Sequence, residues 1–223
     1  MGAADVRDPW LPDRLLRTER DALMPLLRRT PEERFAVRTA CPGWTVRQVL
    51  AHCAAALVRI VEGRLEEGVF LPEANAADVA EREPWPLGRV LDELERGFSE
   101  AGAVIAATDD GTLDAVALGE WVHAGDVREA FREPGAYGGS ASLALALPLL
   151  ATASRRRETP ALVAALPERA EPLTLGAPAD GSRPPARYRG DAATLVRIYS
   201  GRPLVGTRYE LTGATEQELL IYR

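Results

Sequence analysis

Four long segments of the sequence repeat their apolar residues every three or four positions, the spacing that gathers side chains on one face of an α-helix. The second segment has a clear start, because Thr45 can cap the helix and Gln48 stands where it completes a capping box. Three of the predicted helices cover about residues 11–29, 87–107 and 113–131. The second helix of the four starts at Thr45, and its apolar face extends to Val61. Four long helices joined by short connections predict an antiparallel four-helix bundle.

The sequence changes character after about residue 134, where Gly and Pro become frequent. A fifth helix is expected over 141–157, and the connection at 70–86 is interpreted as a loop. The short strand-like pieces and the one helix beyond residue 170 are 171–181, 184–190, 191–201, 207–213 and 217–223. Short elements separated by Gly and Pro are typical of a small α/β unit. We therefore predict a helix bundle over residues 1–157 and a small α/β C-terminal domain over 158–223.

Composition and charge exclude several classes of function. Apolar residues make up 46% and charged residues 27%, which are values of a globular protein. The net charge is −6 and the basic residues are scattered, so the sequence shows no basic cluster of the kind that binds nucleic-acid phosphates. The start of the sequence lacks the pattern of a secretion signal, and the longest apolar run, 141–153, is too short for a membrane span. We expect a cytoplasmic protein with no membrane partner, either a monomer or a homodimer.

The sequence contains only two histidines, and both fall in predicted helices. Glu120 and His123 stand three positions apart, so their side chains lie over one another on the fourth helix. His52 points at or beside the buried side of the second helix. Two histidines and a carboxylate from facing helices are a common way to build a metal site inside a bundle.

The spacing also allows a structural interpretation. A histidine on an apolar face is often a core residue, and Glu120 could pair with Arg47 or Arg128 instead. The pattern Glu-x-x-His occurs by chance on many helices, so both interpretations stay open at this stage. Cys41 and Cys53 are interpreted as packing residues rather than nucleophiles.

Three blocks of the sequence resemble one known family. The block CPGWTVRQVLAH (41–52) is similar to a signature of the mycothiol-dependent maleylpyruvate isomerase family, a branch of the DinB-like metal-binding four-helix bundles. The block GEWVHAGDVREAFREPG (119–135) resembles the family's E-x-x-x-H-x-x-D segment. The block GDAATLVRIYSGRPLVGTRYELTG (190–213) resembles its small C-terminal domain. The resemblance implies a DinB-like bundle followed by that domain.

The resemblance also implies a set of site residues. The family holds a divalent metal, usually zinc, with two histidines and a glutamate, and His52 and His123 match those histidines. The family's glutamate lies four residues before its histidine, where this chain has Gly119, so Glu120 is assigned as the ligand instead. Asp126 matches the family's aspartate, which can accept the N–H of a ligand histidine and fix its tautomer, or can be a plain helix-surface residue.

The chemistry implied by the resemblance uses mycothiol, a low-molecular-weight thiol, as the nucleophile toward a small electrophilic substrate. The expected activity is isomerisation or S-transfer. Arg202 matches an arginine of the C-terminal domain and is interpreted either as a group that holds an acidic substrate or thiol, or as a turn-stabilising residue. The alternative function, favoured by the shifted glutamate, is a non-catalytic metal- or small-molecule-binding protein built on the same bundle.

Overall fold

The chain divides into two compact units, Met1–Ala136 and Tyr137–Arg223. The computed structural model describes residues 7–108, 110–179, 181 and 183–222, without the side chain of Ser140. Within these residues no helix combines the length and the apolar composition that crossing a bilayer requires.

The N-terminal unit is helical. Its α-helices are α1 (Leu11–Arg29), α2 (Val46–Val61), α3 (Pro72–Arg82), α4 (Leu87–Ala106) and α5 (Asp114–Ala130). Helix α4 packs against α1 and α2, and α5 packs against the same two helices, which closes a ring of four. The predicted four-helix bundle is confirmed, and α1 has the bounds that the apolar spacing predicts.

Helix α2 lies at the centre of this unit. Its start is fixed by the predicted capping box, in which the Thr45 side chain accepts from the Gln48 N–H and the Gln48 side chain accepts from the Thr45 N–H. Buried residues follow on almost every side of the helix, and many are alanine. A helix that is apolar all round belongs in a core rather than on a surface. The side chains of α2 are therefore held tightly by their neighbours.

Helix α3 lies in the segment that the sequence predicts to be a loop, so that prediction is wrong. Pro72 starts the helix, where its missing N–H has no cost. The only buried residues of α3 are charged: Asp78 forms an ion pair with Arg59 of α2, and Arg82 pairs with Glu93 of α4. Because charge rather than an apolar stripe attaches this helix, hydrophobic periodicity does not reveal it.

The C-terminal unit combines helices with a small sheet. Its elements are α6 (Ser140–Arg156), β1 (Leu162–Ala165), β2 (Leu173–Leu175), β3 (Ala186–Gly190), α7 (Ala192–Ser200) and β4 (Tyr209–Thr212). The strand order is β2-β1-β3-β4, with β1 and β3 parallel and the outer pairs antiparallel. This arrangement confirms the predicted mainly helical fold with a small α/β unit.

Two features of the C-terminal unit differ from the sequence-based expectation. Helix α6 packs on β2 and α7, so its contacts group it with this unit, whereas the sequence places the boundary after residue 157. The segment predicted as a last strand, 217–223, contains part of a 3₁₀ turn, Glu216–Leu219. Thr215 and Glu218 form a capping box that starts this turn, and this local hydrogen bonding overrides the alternating pattern.

Helices α2 and α4 approach each other closely at Gly97. A Cβ atom built on Gly97 would lie 2.6 Å from the Cβ of Leu57, far inside normal contact distance. The neighbouring atom is close to the backbone of α2 and cannot move away like the end of a long side chain. Gly97 therefore sets how tightly α4 packs on the central helix.

We expect the Gly97→Ala variant to lower the free energy of unfolding by about 1–3 kcal/mol, because the added methyl group pushes α4 away from Leu57. Near the start of the same helix, a Cβ built on Gly88 would meet no atom of the described residues within 4 Å. The matched variant Gly88→Ala should raise stability by about 0.5–1 kcal/mol. Urea denaturation followed by circular dichroism measures both, and equal stability of the two variants would contradict the close packing described.

Candidate metal centre

The two histidines meet inside the bundle. His52 comes from α2 and His123 from α5, and their ring centroids lie 5.2 Å apart with the planes nearly perpendicular, at 83°. The indole of Trp44, at the entry to α2, lies 5.0 Å from the His52 ring. Residues that stand far apart in sequence thus form one cluster between two core helices.

The His52 ring is suited to act as a ligand. It is only 9% exposed, and burial together with the nearby charge of His123 lowers its pKa to about 3. The ring is therefore neutral at pH 7 and keeps a lone pair for coordination. Its Nδ1 has no hydrogen-bond partner among the described residues. A buried polar atom without a partner costs about 1–3 kcal/mol, which a bound ligand would offset.

The His123 ring is held by an acid one turn further along α5. Its Nδ1 lies 3.1 Å from Oδ2 of Asp126, within hydrogen-bond distance. Asp126 is completely buried, so its carboxylate has little freedom to turn elsewhere. A contact of this kind fixes the orientation and the tautomer of a histidine, as the sequence interpretation allows for Asp126.

The Glu120 side chain is also buried, but it faces a different neighbour. The thiol of Cys53 donates a hydrogen bond to its carboxylate, while its Oε2 has no partner among the described residues. Burial raises the pKa of Glu120 to about 8, and the Cys53 bond opposes this shift. Burial, and then the charge of Glu120, raise the pKa of the Cys53 thiol. Within the described residues, Glu120 is thus a buried acid that no cation contacts.

The arginine partners considered for Glu120 are engaged elsewhere. Arg128 forms an ion pair with the buried carboxylate of Glu19 on α1. Arg47 donates to the backbone carbonyl oxygens of Glu83 and Trp85. The purely structural interpretation of Glu120, as one half of a buried ion pair, receives no support from these contacts.

Cys41 is a further member of the cluster that the sequence interpretation does not include. Among the described residues, Cys41, His123 and Asp126 each offer one donor atom, and these atoms lie within 4.8 Å of one another. His52 and Glu120 are outside this group of three. Both cysteines are predicted as packing residues, yet Cys41 stands in the same sequence block, 41–52, as His52. That shared block is the signal that could have identified it.

The side chains around His123 form a donor set that fits a divalent metal. Imidazole nitrogen, carboxylate oxygen and thiolate sulfur are the three kinds of ligand that zinc uses in proteins. Two of the predicted ligands, His52 and Glu120, carry buried atoms that have no partner in the described part of the chain, as expected for groups arranged around a cation. The same donor types also suit other borderline metals. The site is therefore suited to a divalent metal ion, but its donors do not specify which one.

Arg202 belongs to the C-terminal unit. Its Nη1 donates to the Ser200 carbonyl oxygen at 2.9 Å, which is the contact of a turn-stabilising arginine. It also lines an open cavity of about 970 Å³, beside Arg197 and Tyr209. Both interpretations of Arg202 are therefore compatible with its surroundings inside this unit.

Comparisons with known proteins show the family of this chain. Residues 16–134 match the model of the mycothiol maleylpyruvate isomerase N-terminal domain, which spans the bundle and every residue of the candidate metal centre. No curated protein sequence is significantly similar to the chain.

Two crystal structures share the fold. A histidine-to-alanine mutant of the mycothiol-dependent maleylpyruvate isomerase is similar with a TM-score of 0.59 and 17% identity, over 94% of this chain and 95% of that one. A second structure of the mycothiol-dependent maleylpyruvate isomerase gives a TM-score of 0.55 at 16% identity, with the same coverage. At this identity the likeness describes the fold, which includes the C-terminal unit as well as the bundle.

The buried Glu120 carboxyl should make the metal-free protein less stable at high pH. Its pKa is about 8 in the folded chain against an ordinary value of 4.5, so between these values the unfolded chain ionises while the folded chain holds a proton. Stability then falls as the pH rises, by about 1.4 kcal/mol per unit. His52 changes the stability of the protein mainly at lower pH, because its pKa falls from 6.5 in the unfolded chain to about 3 in the folded chain.

In the wild type, the free energy of unfolding should fall by about 2 kcal/mol between pH 6.5 and pH 8. We expect this fall to be absent in the Glu120→Gln variant, which has no carboxyl group to ionise. Urea denaturation in the presence of a chelator measures it. Glu129→Gln on the same helix leaves Glu120 in place and should keep the wild-type slope. An unchanged slope in Glu120→Gln would show that Glu120 is already ionised in the folded protein.

Proposed function

Because this chain belongs to the mycothiol maleylpyruvate isomerase N-terminal domain family, we propose that it is a metal-dependent and mycothiol-dependent enzyme. The proposed reaction is isomerisation or S-transfer of a small electrophilic substrate. The observation that carries this proposal is the meeting of His52 and His123 between α2 and α5. Family membership supports the use of mycothiol, and the donor set supports the metal.

The proposed ligands are His52, His123 and Glu120. Two neutral imidazoles and one carboxylate would leave a zinc ion with a net charge near +1, and a bound metal of that charge lowers the pKa of a thiol and polarises a carbonyl. For Glu120 the support is its buried Oε2, which has no partner in the described part of the chain.

The protein's own residues would orient and protect this centre. Asp126 holds the His123 ring through Nδ1, so that the other ring nitrogen keeps a fixed direction. Trp44 covers one side of His52 and limits the access of water. Arg202 is proposed to bind a carboxylate of the substrate or of the thiol, since a guanidinium pairs with a carboxylate through two parallel hydrogen bonds.

A second function is favoured by a specific observation. Gly119 stands where the family pattern has its glutamate, and Cys41 lies beside His123 instead. A site altered in this way could hold a metal or a small molecule without turning it over. The non-catalytic binding protein therefore stays the alternative, and thiol-dependent turnover separates the two functions.

We expect the purified protein to bind about one divalent metal ion per chain, because the rings of His52 and His123 meet between α2 and α5. Alanine at either histidine should remove most of the metal, as measured by elemental analysis after gel filtration. Asp92→Asn, an exposed acid on α4, is the control and should keep full occupancy. Full occupancy in the His52→Ala, His123→Ala double variant would exclude this site.

The two buried acids should behave differently. Asp126→Asn should weaken metal affinity about 10- to 100-fold if the carboxylate only orients His123. Glu120→Gln should remove a ligand and have the larger effect. If Asp126→Asn abolishes binding while Glu120→Gln leaves it unchanged, the two roles must be exchanged.

We expect the metal-loaded protein to isomerise maleylpyruvate, the substrate of the structurally similar enzymes, only when mycothiol is present. The reaction rate is measured as the decrease in the absorbance of the substrate. Arg202→Ala should raise KM about 10- to 100-fold, since it removes a charge-assisted hydrogen bond. The exposed Arg208→Ala is its control. A metal-loaded protein without any thiol-dependent reaction would favour the binding function.

A further inference from the structure

The loop that carries Cys41 is firmly held. It leads from a 3₁₀ turn, Glu32–Ala36, into α2, and its two arms are bridged between Arg38 and Thr45. Thr39 accepts from the Cys41 N–H at 3.2 Å, and the Trp44 N–H donates to the Cys41 carbonyl at 3.3 Å. The backbone of Cys41 is thus fixed on both sides, and the direction of its side chain is set by the turn.

This loop brings the Cys41 sulfur to the candidate metal centre. The sulfur, a His123 ring nitrogen and an Asp126 carboxylate oxygen lie within 4.8 Å of one another. The second histidine, His52, is nine-tenths buried next to His123 and carries a nitrogen without a partner among the described residues. Thiol, imidazole and carboxylate donors therefore surround one point that is lined by buried polar atoms.

We infer that Cys41 is a ligand of the same metal as His123, and that it occupies the coordination position at which an external thiol would bind. The inference rests on the proposed function, because it requires a metal at His123. A fourth protein ligand distinguishes a closed zinc site from an open catalytic one. The resting site of this chain is thereby closed by its own thiolate.

The charges of the site agree with this assignment. Among the proposed ligands, the Cys41 thiolate and the Glu120 carboxylate balance the two charges of a divalent ion, and the imidazoles add none. Asp126 is outside this ligand set and contacts the His123 ring. A metal ion that its ligands neutralise is less costly to bury than a charged one. Formation of the metal–sulfur bond releases the Cys41 thiol proton to solvent, so metal binding by the wild type frees a proton that a Cys41→Ser variant does not.

Closure by Cys41 would regulate the use of an external thiol. An incoming thiol forms its own metal–sulfur bond as the bond to Cys41 breaks, and its proton passes to the departing Cys41 sulfur. Cys41 is half-buried, so solvent can reach its sulfur once the bond to the metal has broken. The protein would then be active only when the external thiol is abundant enough to compete.

Cobalt substitution tests this inference. The protein is stripped with a chelator, dialysed free of thiols and loaded with Co²⁺, and its absorption spectrum is recorded without any added thiol. A cobalt–thiolate bond gives a charge-transfer band in the near ultraviolet, which nitrogen and oxygen ligands do not give. We expect this band in the wild type and its loss in Cys41→Ser, with the visible cobalt bands retained. The matched control is Cys53→Ala, which removes the chain's other thiol and should keep the band.

Each other outcome has a distinct meaning. Visible cobalt bands without the near-ultraviolet band in the wild type would overturn the role of Cys41 and leave the metal site intact. A band that survives in Cys41→Ser but disappears in Cys53→Ala would assign the sulfur to Cys53 and overturn the inference. A wild-type protein that takes up no cobalt at all would overturn the proposed metal-dependent function, and this inference with it.

Discussion

The burial of α2 on almost every side is the constraint on which the site depends. Alanines along this helix and Gly97 on α4 let the neighbouring helices approach closely, so α2 cannot rotate or slide without clashes. Protein cores of this density respond to changes of a single methyl group. The position of His52 is therefore fixed by packing, and α5, which packs against the same helix, presents His123 to it.

Placing polar groups in such a core is unfavourable unless they have partners. Among the described residues, His52 and Glu120 both keep buried atoms without a partner, and both have pKa values shifted toward their neutral forms. A core that served stability alone would carry apolar residues at these positions. A bound cation would give these atoms a partner and would lower the pKa of the Glu120 carboxyl, so the proposed metal would offset the cost of burying these polar groups.

The sequence predicted those parts of the molecule that depend on apolar periodicity. Helices α1, α2, α4 and α5 each carry a buried stripe, and their bounds agree closely with the spacing. Helix α3 was not predicted, because ion pairs rather than apolar contacts attach it to α2 and α4. The meeting of the two histidines could be predicted because each shares a helix face with core residues. The approach of Cys41 to His123 could not, because it depends on a loop that brings distant parts of the chain together.

His52 and His123 are proposed to bind one metal. X-ray absorption at the zinc edge of the loaded protein distinguishes the ligands directly, since imidazole rings produce a characteristic multiple-scattering pattern and sulfur produces a longer, stronger shell. We expect about two imidazoles and one sulfur on each zinc ion, in a four-coordinate site. A zinc ion surrounded by oxygen alone, without imidazole scattering, would contradict this proposal.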